Sequence, residues 1–168
     1  AIGYSALASA DHANDDGVIA IGSEAFTNLS ATDANNWSIA IGYQAGYTAS
    51  TGFAYGIAIG PKALYTNNNS SNIAIGYQAG EVNIGNHNTI IGTNAGKNGV
   101  DVDNCVIIGS NAGLDVMTAG ADNCTLIGRN AGASLTSGGV NTVIGSYAGD
   151  ALNTGSGSVF VGQNTGGT

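Results

Sequence analysis

A short motif recurs along the whole chain, and its period constrains the fold more than any other feature. The clearest copy is Asn72-Ile73-Ala74-Ile75-Gly76-Tyr77-Gln78-Ala79-Gly80. Aligned on the glycine after the apolar run, successive copies lie 16 to 20 residues apart and centre on Gly3, Gly22, Gly42, Gly60, Gly76, Gly92, Gly109, Gly128, Gly145 and Gly162. A short period sustained over a whole chain predicts a solenoid of stacked coils.

The apolar run of each copy is predicted to be a β-strand. The position just before the central glycine is β-branched in every copy, which favours strand over helix. The position three before the glycine points to the same side of a strand. We predict that this side faces the interior of the coil, with a structural core of Ile21, Ile41, Ile59, Ile75, Ile91, Ile108, Ile127, Ile144 and Val161. An aspartate at Ile75 is therefore expected to prevent folding.

The position between these two points to the opposite side, yet it is apolar as well. A strand that is apolar on both faces is buried on both faces, whereas a single coil has only one interior. We therefore expect identical neighbouring chains to cover the second face. The predicted trimer contacts are Ala40, Ala58, Ala74, Ile90, Ile107, Leu126, Val143 and Phe160.

Together these columns predict an all-β fold, a parallel β-solenoid of about ten coils of 16 to 20 residues. Each coil would hold a strand, a glycine corner, a shorter strand and a loop of variable length. No linker or shift in composition divides the chain, so residues 1–168 are expected to form one domain. Because the sequence starts and ends inside motif copies, we expect it to be a fragment of a longer repeat array.

The pattern Asn-x-Ile-Ala-Ile-Gly-x-x-Ala-Gly resembles the head repeats of YadA-like trimeric autotransporter adhesins. Similar Ile-Gly-x-x-Ala-Gly arrays occur in phage tail-fibre and tail-spike proteins. The copies centred on Gly42 and Gly76 carry this resemblance best. It implies a left-handed β-roll, a homotrimer and attachment to a cell-surface receptor or glycan. It also implies an extracellular location, on a bacterial surface or a virion fibre.

Charge and hydropathy exclude several classes of partner. The net charge is -8, with 3 Lys+Arg against 11 Asp+Glu, so no basic patch exists to neutralise the phosphates of a nucleic acid. No apolar run reaches the ~18 to 20 residues of a membrane-spanning helix, so we expect no membrane insertion. Most acidic residues lie between the motif copies, where solvated loop charge is the favoured interpretation.

Several residue types in the chain could carry chemistry. Cys105 and Cys124 occupy the same motif position on consecutive coils, so they form either a disulfide or two small side chains in a polar column. The amides of Asn72, Asn88 and Asn141 in that column predict a ladder between coils. Asp101 and Asp103 alternate as oxygen ligands, but lack the closing residues of a Ca²⁺ loop. We expect no metal and no cofactor.

Aromatic residues crowd into one part of the chain. The candidate ligand-binding residues are Trp37, Tyr47, Phe53, Tyr55 and Tyr65, because exposed aromatic rings suit saccharide or protein contacts. Padding of long loops is the competing interpretation. His12 and His87 have no partner nucleophile in a recognisable motif, so an enzyme is not expected.

The sequence therefore predicts a structural and adhesive fibre segment. The alternatives are a solenoid glycan hydrolase, which needs paired carboxylates, and an ice-binding solenoid, which needs a flat ladder of outward threonines. The column after the central glycine is too irregular for such a ladder.

Overall fold

The computed structural model describes residues 1–8, 17–29, 37–49, 53–82 and 84–167. It is all-β apart from one turn of 3₁₀ helix at Ala119–Ala121. The strands, in chain order, are β1 Ile19–Ile21, β2 Asn28–Leu29, β3 Ile39–Ile41, β4 Thr48–Ala49, β5 Ile57–Ile59, β6 Ile73–Ile75, β7 Thr89–Ile91, β8 Val106–Ile108, β9 Thr125–Ile127, β10 Thr142–Ile144 and β11 Val159–Val161. No helix within the described part of the chain is long and apolar enough to cross a membrane.

The main sheet has nine strands in the order β1-β3-β5-β6-β7-β8-β9-β10-β11, and every pairing is parallel. Equivalent motif positions pair directly, as Ala58 does with Ala74. The second sheet is narrower and pairs β2 with β4. The predicted parallel β-solenoid is therefore confirmed, but the nine strands span about eight turns instead of ten coils, because the first copy contributes only a bridge between Ile2 and Ile21.

The interior of the coil is lined by the middle residue of each strand. Ala20, Ala40, Ala58, Ala74, Ile90, Ile107, Leu126 and Val143 are at most 1% exposed. They cannot meet another chain, so their predicted role as trimer contacts is wrong. Phe160, in the last strand, is half-buried and packs against the same core. The predicted core column is wrong in the same way. It points outward, and Ile21, Ile75, Ile144 and Val161 are 37 to 63% exposed while Ile41, Ile59, Ile91, Ile108 and Ile127 are half-buried.

Side-chain volume explains which face lies inside. In two of the four coils whose middle strand residue is alanine, a larger residue fills the interior from the position four after the central glycine, Phe26 with Ala20 and Leu64 with Ala58. With Ala40 and Ala74 that position is glycine. Where the strand residue is large, that position is glycine. A Cβ on Gly96 would lie 3.2 Å from Ile107 Cδ1, and one on Gly132 would lie 2.9 Å from Leu126 Cδ2. A coil interior therefore never receives a large side chain from both columns at once.

The central glycines are required by backbone contact between coils. Gly76 has φ +135°, and a Cβ there would lie 2.7 Å from the carbonyl carbon and oxygen of Gly92. Any larger residue would push adjacent coils apart. The invariant glycine of the motif is thus a packing requirement of the stack.

Candidate interaction surface

The outward columns of the main sheet form a continuous apolar surface. We call this the outer face, and it consists of the first and third residues of the nine strands, all Ile, Val or Thr. Its β-branched side chains stack in register from coil to coil, as Ile59, Ile75 and Ile91 do. No charged residue interrupts these two columns in the described strands.

Two rows of residues border the outer face. The corner row lies two residues before each strand and consists of Gly17, Trp37, Tyr55, Ser71, His87, Asn104, Asn123, Val140 and Gly157. The tyrosine row follows each central glycine and includes Tyr4, Tyr43 and Tyr77. Of the 16 large hydrophobic residues exposed in the described chain, 12 lie on the outer face or in these rows. Such a concentration on one side marks an interaction surface.

The corner row holds its aromatic residues in an unfavourable backbone conformation. Trp37 and Tyr55 have φ of 60° and 59°, a left-handed conformation that bulky side chains rarely adopt. Both are exposed, at 65% and 62%. A Cβ on Gly17 would lie 2.7 Å from Trp37 Cε3, so the indole covers the corner of the preceding coil. The structure therefore places these two predicted ligand residues beside the outer face.

The other three predicted ligand residues lie elsewhere. Tyr47 and Tyr65 stack on adjacent coils next to the second sheet, with ring centroids 5.0 Å apart and an interplanar angle of 9°. Lys62 Nζ lies 5.2 Å from the Tyr65 centroid. Phe53 is fully buried and makes an edge contact with Phe26, with centroids 5.2 Å apart. The prediction for Phe53 is therefore wrong, because its ring lies in the interior beside alanines of the core.

A polar ladder runs inside the coils, as the amide column predicts. Asn72, Asn88 and Asn141 are at most 1% exposed. Asn72 Oδ1 accepts the N–H of Asn88 at 2.9 Å, and Asn88 Oδ1 accepts the N–H of Cys105 at 2.8 Å. Each amide group also donates to the next coil, as Asn88 Nδ2 does to Val102 O at 2.6 Å. These bonds satisfy backbone groups that the loops would otherwise leave unpaired in the interior.

The two cysteines continue this ladder as free, buried thiols. Cys105 Sγ accepts the N–H of Cys124 at 3.3 Å, and Cys124 Sγ accepts that of Asn141 at 3.4 Å. Each Sγ also lies within hydrogen-bonding distance of a carbonyl of the next coil, Cys105 Sγ at 3.3 Å from Ala121 O and Cys124 Sγ at 3.5 Å from Gly138 O. The thiols thus take the place of asparagine, so the alternative of two small residues in a polar column is the one that the structure supports.

The two thiols have opposite shifts in acidity. A hydrogen bond from the Cys105 thiol lowers the pKa of Cys124 to about 7, because it stabilises the Cys124 thiolate. The same hydrogen bond, together with burial, raises the pKa of Cys105. Only one member of the pair therefore ionises near neutral pH.

The acidic candidates do not form a metal site among the described residues. Asp103 Oδ1 accepts the backbone N–H of Asn86, and the Asp103 N–H donates to Asp122 Oδ1 at 2.9 Å. The Asp103 carboxylate therefore extends the polar ladder, while Asp101 is exposed at a corner. No group of three His, Cys, Asp or Glu side chains suited to a metal ion occurs in the described ranges.

His87 is an exposed residue of the corner row, with φ 60°. His12 lies outside the described residues.

Sequence reasoning missed the outer face and the tyrosine row as surfaces. The signal that identifies the interior was the glycine that stands four after the central glycine in every copy with a large middle strand residue, as Gly132 does for Leu126. Comparison with protein-family models, curated proteins and solved structures gives no match.

Proposed function

We propose that this chain is a structural and adhesive segment of an extracellular fibre, of the kind found on bacterial surfaces or virions. In this proposal its coils form a left-handed β-roll, and three copies associate side by side through their outer faces. The tyrosine row and the loops remain available for a receptor or a cell-surface glycan. The observation that carries the proposal is the concentration of exposed apolar side chains on one side of the solenoid.

The size of this surface supports burial between chains. Nine strands at ~4.8 Å per step extend about 38 Å along the solenoid axis. The outer face and the corner row together span five residue positions, about 16 Å at ~3.3 Å per residue. The resulting area, on the order of 600 Å², is at the upper limit of what monomers expose and approaches the ~800 Å² that each partner buries in a stable interface.

Charge also favours association of this face with a copy of itself. The whole chain carries a net charge of -8, so charged surfaces of two copies repel each other. The outer face is uncharged in all nine strands, which makes it the side on which copies can approach. A trimer in which three outer faces surround a common axis would bury them at once.

The alternatives receive less support. A cavity near the C-terminal coil is lined by Ser134, Asp150, Ala151, Asn164 and Gly167, and therefore holds one carboxylate where glycoside hydrolysis needs two. An ice-binding role needs a regular outward ladder of threonine. The outward columns contain threonine in three of nine strands, at Thr89, Thr125 and Thr142.

The attachment role is tested with an array of cell-surface glycans and with whole bacterial cells. We expect the assembled chain to bind a subset of glycans and to bind cells that display them. Control measurements use a variant that folds but does not associate. An assembled chain that binds neither glycans nor cells would leave a purely structural spacer and contradict the adhesive part of the proposal.

A further inference from the structure

The tyrosine row has a regular spacing that the proposed fibre role does not explain. Tyr4, Tyr43 and Tyr77 follow the central glycine of every second coil, and the smaller Ser23 and Pro61 occupy the coils between them. The three tyrosines are 78%, 48% and 49% exposed. No core packing therefore accounts for an aromatic residue at these alternate positions.

Backbone hydrogen bonds fix the residues of this row on successive rungs. The N–H of Lys62 donates to Tyr43 O at 2.9 Å, and the N–H of Gln78 donates to Pro61 O at 3.0 Å. Tyr43 and Tyr77 are thus two rungs apart, which corresponds to about 9.6 Å along the solenoid axis. The same two-rung interval separates Tyr4 from Tyr43.

A row of polar side chains runs alongside the rings. Glu24, Gln44, Lys62 and Gln78 each follow the tyrosine-row residue of their coil and are partly exposed. Gln44 Nε2 donates to Glu24 Oε2 at 2.6 Å, which orients both side chains along the axis. The row therefore combines aromatic platforms at a fixed interval with hydrogen-bonding groups at their edge.

We propose that the tyrosine row binds one chain of a neutral β-1,4-linked polysaccharide, of the chitin or cellulose type, lying parallel to the solenoid axis. In such a chain each sugar ring is turned by half a turn relative to its neighbour. Every second ring therefore presents the same C–H face, at an interval that matches two coil steps. Aromatic rings contact such apolar faces, and neighbouring polar groups bind the hydroxyls at the rim.

Charge selects a neutral glycan over an acidic one. The first six positions of the tyrosine row, from Tyr4 to Thr93, are uncharged, and the net charge of -8 on the chain repels polyanions. The row lies beyond the outer face, so it stays accessible when outer faces pack together. This inference rests on the proposed attachment role and names its ligand class.

The test is isothermal titration calorimetry of the assembled chain with chitohexaose, cellohexaose and maltohexaose. We expect the two β-1,4-linked hexasaccharides to bind and the α-1,4-linked maltohexaose not to bind. The double variant Tyr43→Ala with Tyr77→Ala should bind about tenfold more weakly, because two of three stacking platforms are lost. The control, Val100→Ala with Val116→Ala, removes two exposed apolar side chains outside the outer face and its bordering rows and should leave the affinity unchanged.

A second variant tests the interval itself. Tyr43→Ser with Pro61→Tyr keeps three rings but moves one of them by a single rung, and should weaken binding, although less than the loss of two rings does. Unchanged binding in either tyrosine-row variant, an equal loss in the control, or equal binding of maltohexaose would overturn the inference. Assembled wild-type chain that binds other surface glycans but neither β-1,4-linked hexasaccharide would overturn it and leave the proposed function standing.

Discussion

The most informative perturbation places the same charge on two adjacent residues that point in opposite directions. Ala74 is 0% exposed and lies in the coil interior, whereas Ile75 is 37% exposed and lies on the outer face between Ile59 and Ile91. An aspartate at each position therefore separates folding from association. The sequence-based expectation that an aspartate at Ile75 prevents folding placed this side chain on the wrong face.

The magnitudes follow from burial. An aspartate in place of Ala74 would have its carboxyl group buried, either protonated or as a charge. Burial raises the pKa of such a carboxyl group by ~3 to 5 units, which corresponds to a loss of about 4 to 7 kcal/mol in the free energy of unfolding. That loss is comparable to the whole free energy of unfolding of a typical domain, ~5 to 15 kcal/mol. Ile75→Asp removes a side chain about two-thirds buried, which costs about 1 to 2 kcal/mol in the single chain.

Urea unfolding followed by circular dichroism measures the first effect, and light scattering on the same samples measures the second. Ala74→Asp should be unfolded or lose most of its stability. Ile75→Asp should keep a cooperative transition but lose self-association, and Ile75→Val should retain both. If Ile75→Asp unfolds while Ala74→Asp keeps its transition, the assignment of interior and outer face is refuted.

Three further predictions concern the interior. Asn88→Ala should lower the free energy of unfolding by about 1 to 3 kcal/mol for each backbone group that loses its partner. Cys105→Asn should fold, because asparagine makes the same ladder bonds. Urea titration compares the stability of the two variants. Phe53→Ala should lower the free energy of unfolding by about 3 to 5 kcal/mol, and Trp37→Ala by under about 0.5 kcal/mol. Similar losses in the two variants would contradict the placement of Phe53 inside and Trp37 outside the coil. Between pH 7 and 9 the free energy of unfolding of the wild type should rise relative to that of Cys124→Ser. The reason is that the Cys124 pKa is lower in the folded chain than in the unfolded chain, so the folded chain loses the thiol proton at lower pH. A falling difference would mean that Cys124 stays protonated.

The repeat predicted the architecture well, because a period in sequence becomes a stack in space. The parallel register, the glycine corners and the polar ladder all follow from equivalent positions lying one above another. The buried hydrogen bonds of Asn88 and Asn141 were predictable for this reason. The number of turns was overestimated because the first motif copy lacks a full strand partner.

Alternation in the strand could not decide which face lies inside, because both faces are apolar. Large side chains suggested an interior, yet the interior of the early coils is lined by alanine and filled by Phe26, Phe53 and Leu64 from other parts of the coil. The pairing of Ala58 with Leu64, or of Leu126 with Gly132, carried that information. It relates residues on opposite walls, so it is not visible along a single strand.

The candidate site was predicted only in part for a related reason. Trp37 and Tyr55 are exposed as predicted, but loop position alone did not distinguish them from buried Phe53. The acidic loop residues Asp11, Asp15, Asp16 and Asp33 lie outside the described residues. The spacing of Tyr4, Tyr43 and Tyr77 has meaning only once the rungs are known to stack.

The central claim is that the outer face is buried between copies of this chain, and multi-angle light scattering during size-exclusion chromatography tests it most directly. One chain has a mass of 16.5 kDa. The account predicts a single species of three times this mass, and a mass of one chain for Ile75→Asp eluting with its fold intact. A wild-type chain that stays at 16.5 kDa over the accessible concentration range would contradict the account.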